Sequence, residues 1–391
     1  MHYVRFLRQP SITGKGKHRE LSLVFIVTSD LGDSLMSADK PLRISASLFE
    51  EGGVGSGAAG FSRELMWKPG ARVVKEKIPV PDAPWRLVMV RATSTRLSAR
   101  QFETLAAVPQ QSGQSPRNPL VVPAWFDFKT GNRPAGSTDV CLRKLDLPGP
   151  VSVEFEEEFG DSIARHVWDG GLAAVSFLAQ VHDGRDEARR LMPTVARLLQ
   201  RDGPRPLNVL ELGCGVGVLG IGLAGLLSLA TAPEVIPRCH FLMTDVPEAE
   251  ERALANIRLF RASQEKKGRA IPTIQYENLD WEQGRRGRFS ESVRSKQWDL
   301  VILSDCTYNT DTIPALVETL SQLNSLVTGH GGVRQRPLQV FLATKPRHSS
   351  EQAAFDILGS RGWTVREKAV VELHGLPEET EDVEFYFLET K

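Results

Sequence analysis

The sequence is short of features that would settle its class at a glance. It has only four cysteines, Cys141, Cys214, Cys239 and Cys306, at spacings that suit neither a zinc ribbon nor a small disulfide scaffold. Its eight histidines show no metal spacing, so no metal is expected. It has no charge excess: Lys+Arg and Asp+Glu number 48 each. A protein that lives by binding phosphate backbones carries a basic surplus, so the balance argues against nucleic acid. The opening MHYVRFLRQP is charged and lacks the apolar core of a secretory signal. The longest greasy stretch, Val216–Ala232, is interrupted by glycines and falls short of the ~20 apolar residues of a membrane span. These absences point to a reducing compartment, cytosol or nucleus, and to no membrane. Glycine and proline, 33 and 24 of 391 residues, are too few for a collagen-like or disordered chain. The length suggests two or three domains.

What is present divides the chain near residue 150. Before that point lie short alternating or β-branched runs, Leu21–Thr28, Leu42–Leu48, Val73–Ile78 and Leu87–Ala92. Turns rich in Gly and Pro, such as Gly52–Gly60 and Pro79–Pro84, separate them. No long segment carries a helical period, so residues 1–150 read as a small, mostly-β region with a poorly ordered stretch at Val108–Pro119.

Beyond it, strand and helix alternate. Helical spacing marks Ser162–Val181, Glu187–Arg201, Leu219–Ala230, Ala249–Arg261, Ile313–Leu326 and Ser350–Arg361. Strand-like runs fall at Leu207–Leu212, Cys239–Thr244, Thr273–Glu277, Leu300–Ser304 and Gln339–Thr344. Charged breaks at Glu265–Ala270, Gln283–Lys296 and Gly329–Arg336 read as surface loops. The alternation predicts an α/β domain over residues 151–391: a Rossmann-like, mainly parallel sheet with helices on both faces. The last two strands, Thr364–Leu373 and Val383–Thr390, have no helix between them. They read as an antiparallel hairpin on the far edge, joined by the acidic turn Pro377–Asp382.

Residues 207–220, LNVLELGCGVGVLG, run an apolar strand into a glycine-rich turn and an apolar helix. Gly213, Gly215 and Gly217 permit left-handed dihedrals and let a ligand approach the backbone, and the helix start at Val218 offers unpaired N–H groups. Such a turn can also serve packing alone. Gly215-x-Gly217-x-x-Gly220 satisfies the dinucleotide fingerprint. Glu211 argues the other way. A carboxylate two residues before the first glycine would repel a pyrophosphate, yet it suits the ammonium end of S-adenosylmethionine, which carries no phosphate. Asp245, ending the run CHFLMTD, can accept both ribose hydroxyls or cap the helix after Pro247. Asp280 and Trp281 can take an adenine amino group and stack on its ring, although a Trp is otherwise core. Trp168, in HVWDGG, is core by default, but the neighbouring Asp169-Gly170-Gly171 would let the chain bend over a flat ring. Cys214 and Cys306 fall inside motifs but have no His placed beside them, and read as small hydrophobes.

The ordered blocks VWDGGLAAVSFL, VLELGCGVG, MTDVPEAEERALANI, ENLDW and WDLVILSDCTYN resemble the seven-β-strand (class I) protein-lysine methyltransferases of methyltransferase family 16. The resemblance covers roughly residues 150–391. The region before it lies outside, and is similar to the long extensions of fungal members. It implies S-adenosyl-L-methionine as cofactor, held by Trp168, the turn from Glu211 to Gly217 (with Gly213, Cys214 and Gly215), Asp245, Asp280, Trp281 and Ser304. It also implies that Asp305-Cys306-Thr307-Tyr308 is the family's D-x-x-Y motif, where the target amine meets the methyl group. Asp305 would then orient the amine and Tyr308 would close the channel. Without the motif, they would read as an N-cap and a core aromatic. Cys-Thr stands in the middle where many members are apolar, which bears on the shape of the channel. Arg347 matches a basic position often seen after the fifth strand, with no role assigned.

Methyl transfer from a sulfonium is an in-line displacement, so positioning and desolvation supply most of the rate. A lysine acceptor must first lose its proton, from a reference pKa of about 10.4. The expected partner is a non-histone protein presenting a lysine, and the added β region, able to dock a macromolecule, favours it. A small-molecule amine or pyridine acceptor on the same fold stays open, as does a non-catalytic adaptor. A nicotinamide-dependent dehydrogenase is a more distant alternative.

Overall fold

The structure is a computed structural model. It describes residues 1–37, 39–51, 59–93, 121–129, 140–146, 152–159, 162–200, 206–228, 239–329, 337–347, 351–374 and 380–390. The stretch Val108–Pro119 lies outside these residues, as do most of Gly52–Gly60, most of Gly329–Arg336 and part of Pro377–Asp382.

Alternation builds the first unit. Its strands are β1 (His2–Phe6), β2 (Ser11–Thr13), β3 (Glu20–Ser29), β4 (Leu42–Glu50), β5 (Phe61–Trp67), β6 (Val74–Pro79), β7 (Trp85–Ala92), β8 (Val121–Val122), β9 (Ala124–Asp127), β10 (Val140–Asp146) and β11 (Ser152–Glu158). One sheet runs β2-β3-β1-β8, with β6 also on β3; the other runs β11-β10-β9-β7-β4-β5. Every second residue of β3, Leu21, Leu23, Phe25 and Val27, is buried. They share one apolar core with Ile44, Leu48, Val88, Val90 and Phe126 of the second sheet, so the two sheets form a sandwich. β11 pairs antiparallel with β10, from Val140↔Glu158 to Asp146↔Ser152, so a boundary at residue 150 falls between two strands of one sheet. Val153 and Phe155 of that same strand belong to the core of the second unit. The strand is shared.

The second unit holds α1 (Asp169–His182), α2 (Asp186–Leu191), α3 (Pro193–Leu199), β12 (Leu207–Leu212), α4 (Val218–Leu227), β13 (Cys239–Asp245), α5 (Pro247–Lys266), β14 (Thr273–Asn278), α6 (Trp281–Gly284), α7 (Glu291–Arg294), β15 (Leu300–Ser304), α8 (Ile313–Gly329), β16 (Gln339–Thr344), α9 (Gln352–Ser360), β17 (Trp363–His374) and β18 (Thr380–Thr390). Its seven-stranded sheet has the order β14-β13-β12-β15-β16-β18-β17. The first five are parallel; β18 runs antiparallel to β16 and to β17. This is the expected Rossmann-like sheet with its terminal hairpin. The central strand β12 is buried at every residue but Asn208 because helices cover both faces. α1 and α4 approach closely on one of them: a Cβ added to Gly222 would come within 2.5 Å of Val175.

Three local expectations need correction. The helix expected from Ser162 begins only at Asp169, after a 3-10 turn at Ile163–Arg165 and an extended stretch through Trp168. That stretch is held by other bonds, Val167 N–H donating to Glu157 Oε2 at 3.0 Å. The helix expected over Glu187–Arg201 is two, because Pro193 lacks an N–H and disfavours helical dihedrals at Met192. The loop expected at Gln283–Lys296 contains α7 and the end of α6, started by side-chain caps from Ser290 and Asp280.

Candidate active site

In a doubly wound sheet, ligands bind outside the carboxyl ends of the strands where the strand order reverses. Here that point lies between β12 and β15, and a cavity of about 490 Å³ opens there. Such a volume suits a cofactor-sized molecule. β12 leads into Gly213, Cys214 and Gly215; β13 ends in Asp245; β14 leads into Asp280 and Trp281; β15 supplies Ser304, Asp305 and Cys306, with Tyr308 beyond. Ile163, His166 and Trp168 close the cavity from the segment before α1. The wall carries Asp245, Glu248, Asp280, Glu282 and Asp305, with no lysine or arginine among the described residues lining it.

The glycine turn forms a cradle that a side chain would fill. Gly213 has φ +67°, and a Cβ there would lie 2.7 Å from Cys306 Sγ and 3.1 Å from the Trp281 ring. Asp245 closes the turn: its Oδ2 accepts from Gly215 N–H at 2.6 Å and its Oδ1 from Val246 N–H at 2.7 Å. It does not cap α5, which starts without a side-chain cap at Val246. Burial pushes the Asp245 carboxyl up, against the pull of those two bonds. Asp280 caps α6, accepting from Glu282 N–H at 2.8 Å, and thereby turns the Trp281 indole toward the cavity. Trp168 stands at the N-terminus of α1 with its indole N–H donating to Ile163 O at 3.0 Å.

Asp305 is the one described non-glycine residue with a positive φ, +51°. Its N–H donates to Ala343 O at 2.9 Å; its Oδ2 accepts from Gly170 N–H at 2.7 Å and its Oδ1 from Lys345 N–H at 3.2 Å. Burial lifts its carboxyl to about 6, with Arg347 acting against the rise and Asp30 adding to it. Tyr308 lies on the rim, 52% exposed, so it is not a core aromatic. In the middle of the motif, Cys306 faces the cavity with its thiol pushed up by burial, while Thr307 turns away. Thr307 Oγ1 lies 2.8 Å from Thr344 Oγ1 and donates to Glu351 Oε2 at 3.0 Å. The polar residue of the Cys-Thr pair therefore does not shape the channel.

Two of the expected cofactor residues sit behind the wall. Glu211 is 1% exposed; its Oε1 accepts from Gly220 N–H at 3.2 Å under the first turn of α4, and its Oε2 has no partner. Burial pushes this carboxyl up to about 8, so at neutral pH it is mostly protonated and does not face the cavity as a counter-charge. The strand's period of two turns Glu211 away from the cavity. Gly217, φ +89°, starts α4, and a Cβ there would strike Met243 Cε at 2.4 Å; its need is for packing.

Beneath Asp305 and Trp168 lies a buried ion cluster whose members Asp169 and Arg347 stand in noted segments of the sequence, but without any sign that they meet. Asp169, fully buried, accepts from Lys345 Nζ at 2.8 Å, from Tyr3 Oη at 2.7 Å and from the Met1 ammonium at 2.8 Å. Burial opposes its ionisation, but the Met1 and Lys345 cations prevail and hold the carboxyl below the usual range. Arg347, left without a role by the sequence, forms a two-pronged pair with Asp30, Nη1 to Oδ1 at 3.1 Å and Nη2 to Oδ2 at 2.7 Å. Breaking such a buried cluster by removing one member costs about 3–5 kcal/mol, since it strands the others.

Residues 150–360 match a protein family described as lysine methyltransferase. The chain belongs to this family, methyltransferase family 16. Its members are S-adenosylmethionine-dependent methyltransferases, and S-adenosylmethionine is the cofactor here. Across most of its length the family 16 chain is also similar to the UPF0665 family protein C23C4.06c of Schizosaccharomyces pombe. The two are 22% identical over 364 residues, 92% of this chain and 93% of that one, which takes in most of the sandwich. Among solved structures it is similar to a SAM-dependent methyltransferase from Methanosarcina mazei, at 12% identity and TM-score 0.32, over 51% of this chain and 98% of that one. It is similar too to an S-adenosylmethionine-dependent methyltransferase from Clostridium acetobutylicum, at 11% identity and TM-score 0.28, over 47% and 83% of the two chains.

Proposed function

We propose that this family 16 enzyme is a protein-lysine N-methyltransferase acting on a non-histone protein. The observation that carries the reading is the cavity wall: five carboxylates and no described lysine or arginine, ending at Asp305 and Tyr308. Such a wall favours a cationic methyl donor and a cationic amine over any phosphorylated ligand. When bound, the sulfonium supplies the methyl group and a positive charge that lowers the pKa of an amine brought beside it.

The fit is residue by residue. Gly213, Cys214 and Gly215 give the backbone floor, and Asp245, whose two oxygens each keep an unused lone pair, is placed for ribose hydroxyls. Asp280 and Trp281 take the adenine end; Trp168 and Ser304 flank the reacting end. Glu211 and Gly217 support the turn from behind. Asp305 accepts an N–H of the incoming amine and so aims its lone pair, and Tyr308 covers the channel with its ring. A protein acceptor is supported by the rim, where Ile163 and Tyr308, each 52% exposed, offer apolar surface to a macromolecule. The four free thiols are all buried and fit work in the reducing cytosol or nucleus.

The test is a transfer assay. Purified protein and labelled S-adenosylmethionine are incubated with extract from cells lacking the enzyme, and label is separated by size. A discrete labelled protein band, lost with Asp305→Ala, is expected. Label confined to small molecules would move the assignment to an amine or pyridine N-methyltransferase, and failure to bind the cofactor would leave an adaptor.

A further inference from the structure

Among the described residues, the N-terminal sandwich meets the elements behind the cavity wall through Met1 and Tyr3, which bond the Asp169 carboxylate, through Glu157, which holds Val167 N–H, and through Arg5 and Asp30. Arg5 of β1 donates from Nη2 to Asp30 O at 2.6 Å, while its Nη1 lies 3.0 Å from Nδ1 of His166, a cavity residue. Asp30, 1% exposed at the end of β3, grips the Arg347 guanidinium, which in turn lies 5.6 Å over the centre of the Trp168 ring. Asp30 Oδ2 also accepts from Asp169 N–H at 3.3 Å, one residue before Gly170, whose own N–H holds Asp305.

We propose that Asp30 is a positioning residue for methyl transfer, through which the N-terminal sandwich sets the Trp168 wall and the Asp305 turn of the cofactor pocket. The inference rests on the cofactor reading given above. The geometry supports positioning over mere attachment. A carboxylate that only tied two domains together could pair with any exposed cation on the seam. Asp30 instead gives both oxygens to the planar fork of Arg347, which fixes orientation as well as distance, while Oδ2 also takes Asp169 N–H and Oδ1 also takes Leu31 N–H of its own turn at 3.0 Å and lies 3.6 Å from Lys345 Nζ. Its charge also matters to Asp305: with Asp30 neutral, the carboxylates left acting on Arg347 include Asp305 and Asp169, and the guanidinium would be drawn toward the reacting turn.

The experiment uses the full-length chain and S-adenosylhomocysteine as probe, with affinity read by calorimetry well below the melting temperature. Asp30→Asn keeps the shape and removes the charge, and should weaken binding ~10-fold, within the range that couplings of this kind reach. Arg347→Lys keeps the charge but loses the fork and should fall between. Glu64→Gln, which breaks the exposed Arg43–Glu64 pair elsewhere on the sandwich, should bind as the parent does. If the unaltered chain does not bind the probe, the cofactor reading itself fails. If it binds and Asp30→Asn binds equally well, the proposal alone is overturned. Hydrogen exchange on the unaltered chain guards against a variant that does not fold. Coupling is reciprocal, so the probe should slow exchange at the turn's bonded amides, Ser29, Leu31, Gly32 and Met36, although none of these residues lines the cavity. Unchanged exchange there overturns the proposal as well.

Discussion

Two neighbouring strands, β12 and β15, end at the same cavity, and their turns solve one backbone problem by different means. After β12 the chain takes left-handed dihedrals at Gly213, Gly215 and Gly217, with φ +67°, +52° and +89°. After β15 it takes one at Asp305, φ +51°. Glycine reaches that region without a Cβ clash, whereas another residue costs roughly 1–2 kcal/mol there. Asp305 stays because distant groups hold it: Gly170 N–H, 135 residues away, and Lys345 N–H, 40 residues away. The first turn carries its geometry in its own residues. The second borrows it from the rest of the fold, which is where strain is expected to gather at a working site.

The comparison can be broken most severely at Asp305. Asp305→Ala should lower methyl transfer about 100-fold or more while S-adenosylhomocysteine affinity changes far less. Asp305→Gly sharpens the point, since it relieves the backbone without restoring the carboxylate. It should melt no lower than the Ala variant and stay equally inactive; recovered activity would mean that the dihedral, not the carboxylate, is what the enzyme needs. Next comes Gly213→Ala. The added Cβ meets Cys306 Sγ in a left-handed backbone, so probe affinity should drop and stability fall by roughly 1–2 kcal/mol. Adding Cys306→Ala should return part of the affinity, measured by the same calorimetry.

Thr307→Val should cost about 1–2 kcal/mol in denaturant unfolding, from its lost bonds to Thr344 and Glu351, and leave probe affinity untouched. A further test lies at Glu211. Its folded pKa of about 8 stands above its usual 4.5, so the folded chain keeps a proton that the unfolded chain releases. Stability should therefore decline as pH rises from about 4.5 toward 8. Melting curves of the cofactor-free chain should show part of that decline removed in Glu211→Gln.

The parts written in local pattern were legible. The period of two in β3, the buried run of β12 and the glycines after it all act within a few residues of themselves, and the seven-stranded sheet followed from them. Asp245, Asp280, Trp281, Ser304, Asp305 and Tyr308 do line one cavity, because each lies at or just after a strand end. What the sequence hid is whatever depends on which way a strand residue faces or on a partner far along the chain. Glu211 lies on the wrong side of its strand. The start of α1 was displaced because the side chain of Asp305 and an extended stretch take over where helix would have continued. Asp30 sits in an unremarkable TSDLGDS, and its meaning appears only with Arg347, 317 positions later.

That separation sets a schedule for assembly. Contacts between remote parts of a chain are slow to form because the intervening loop must first close. Leu21, Phe25 and their neighbours can find partners while the sandwich is being made, but Asp30 must wait for Arg347 and Lys345, and Lys345 in turn for Glu381. During synthesis the glycine turn and β13 are already present when β15, β16 and the hairpin are still to come. The Asp305 turn is thus among the last features to be completed, and a partly made chain could hold its β12 floor well before the cavity is closed.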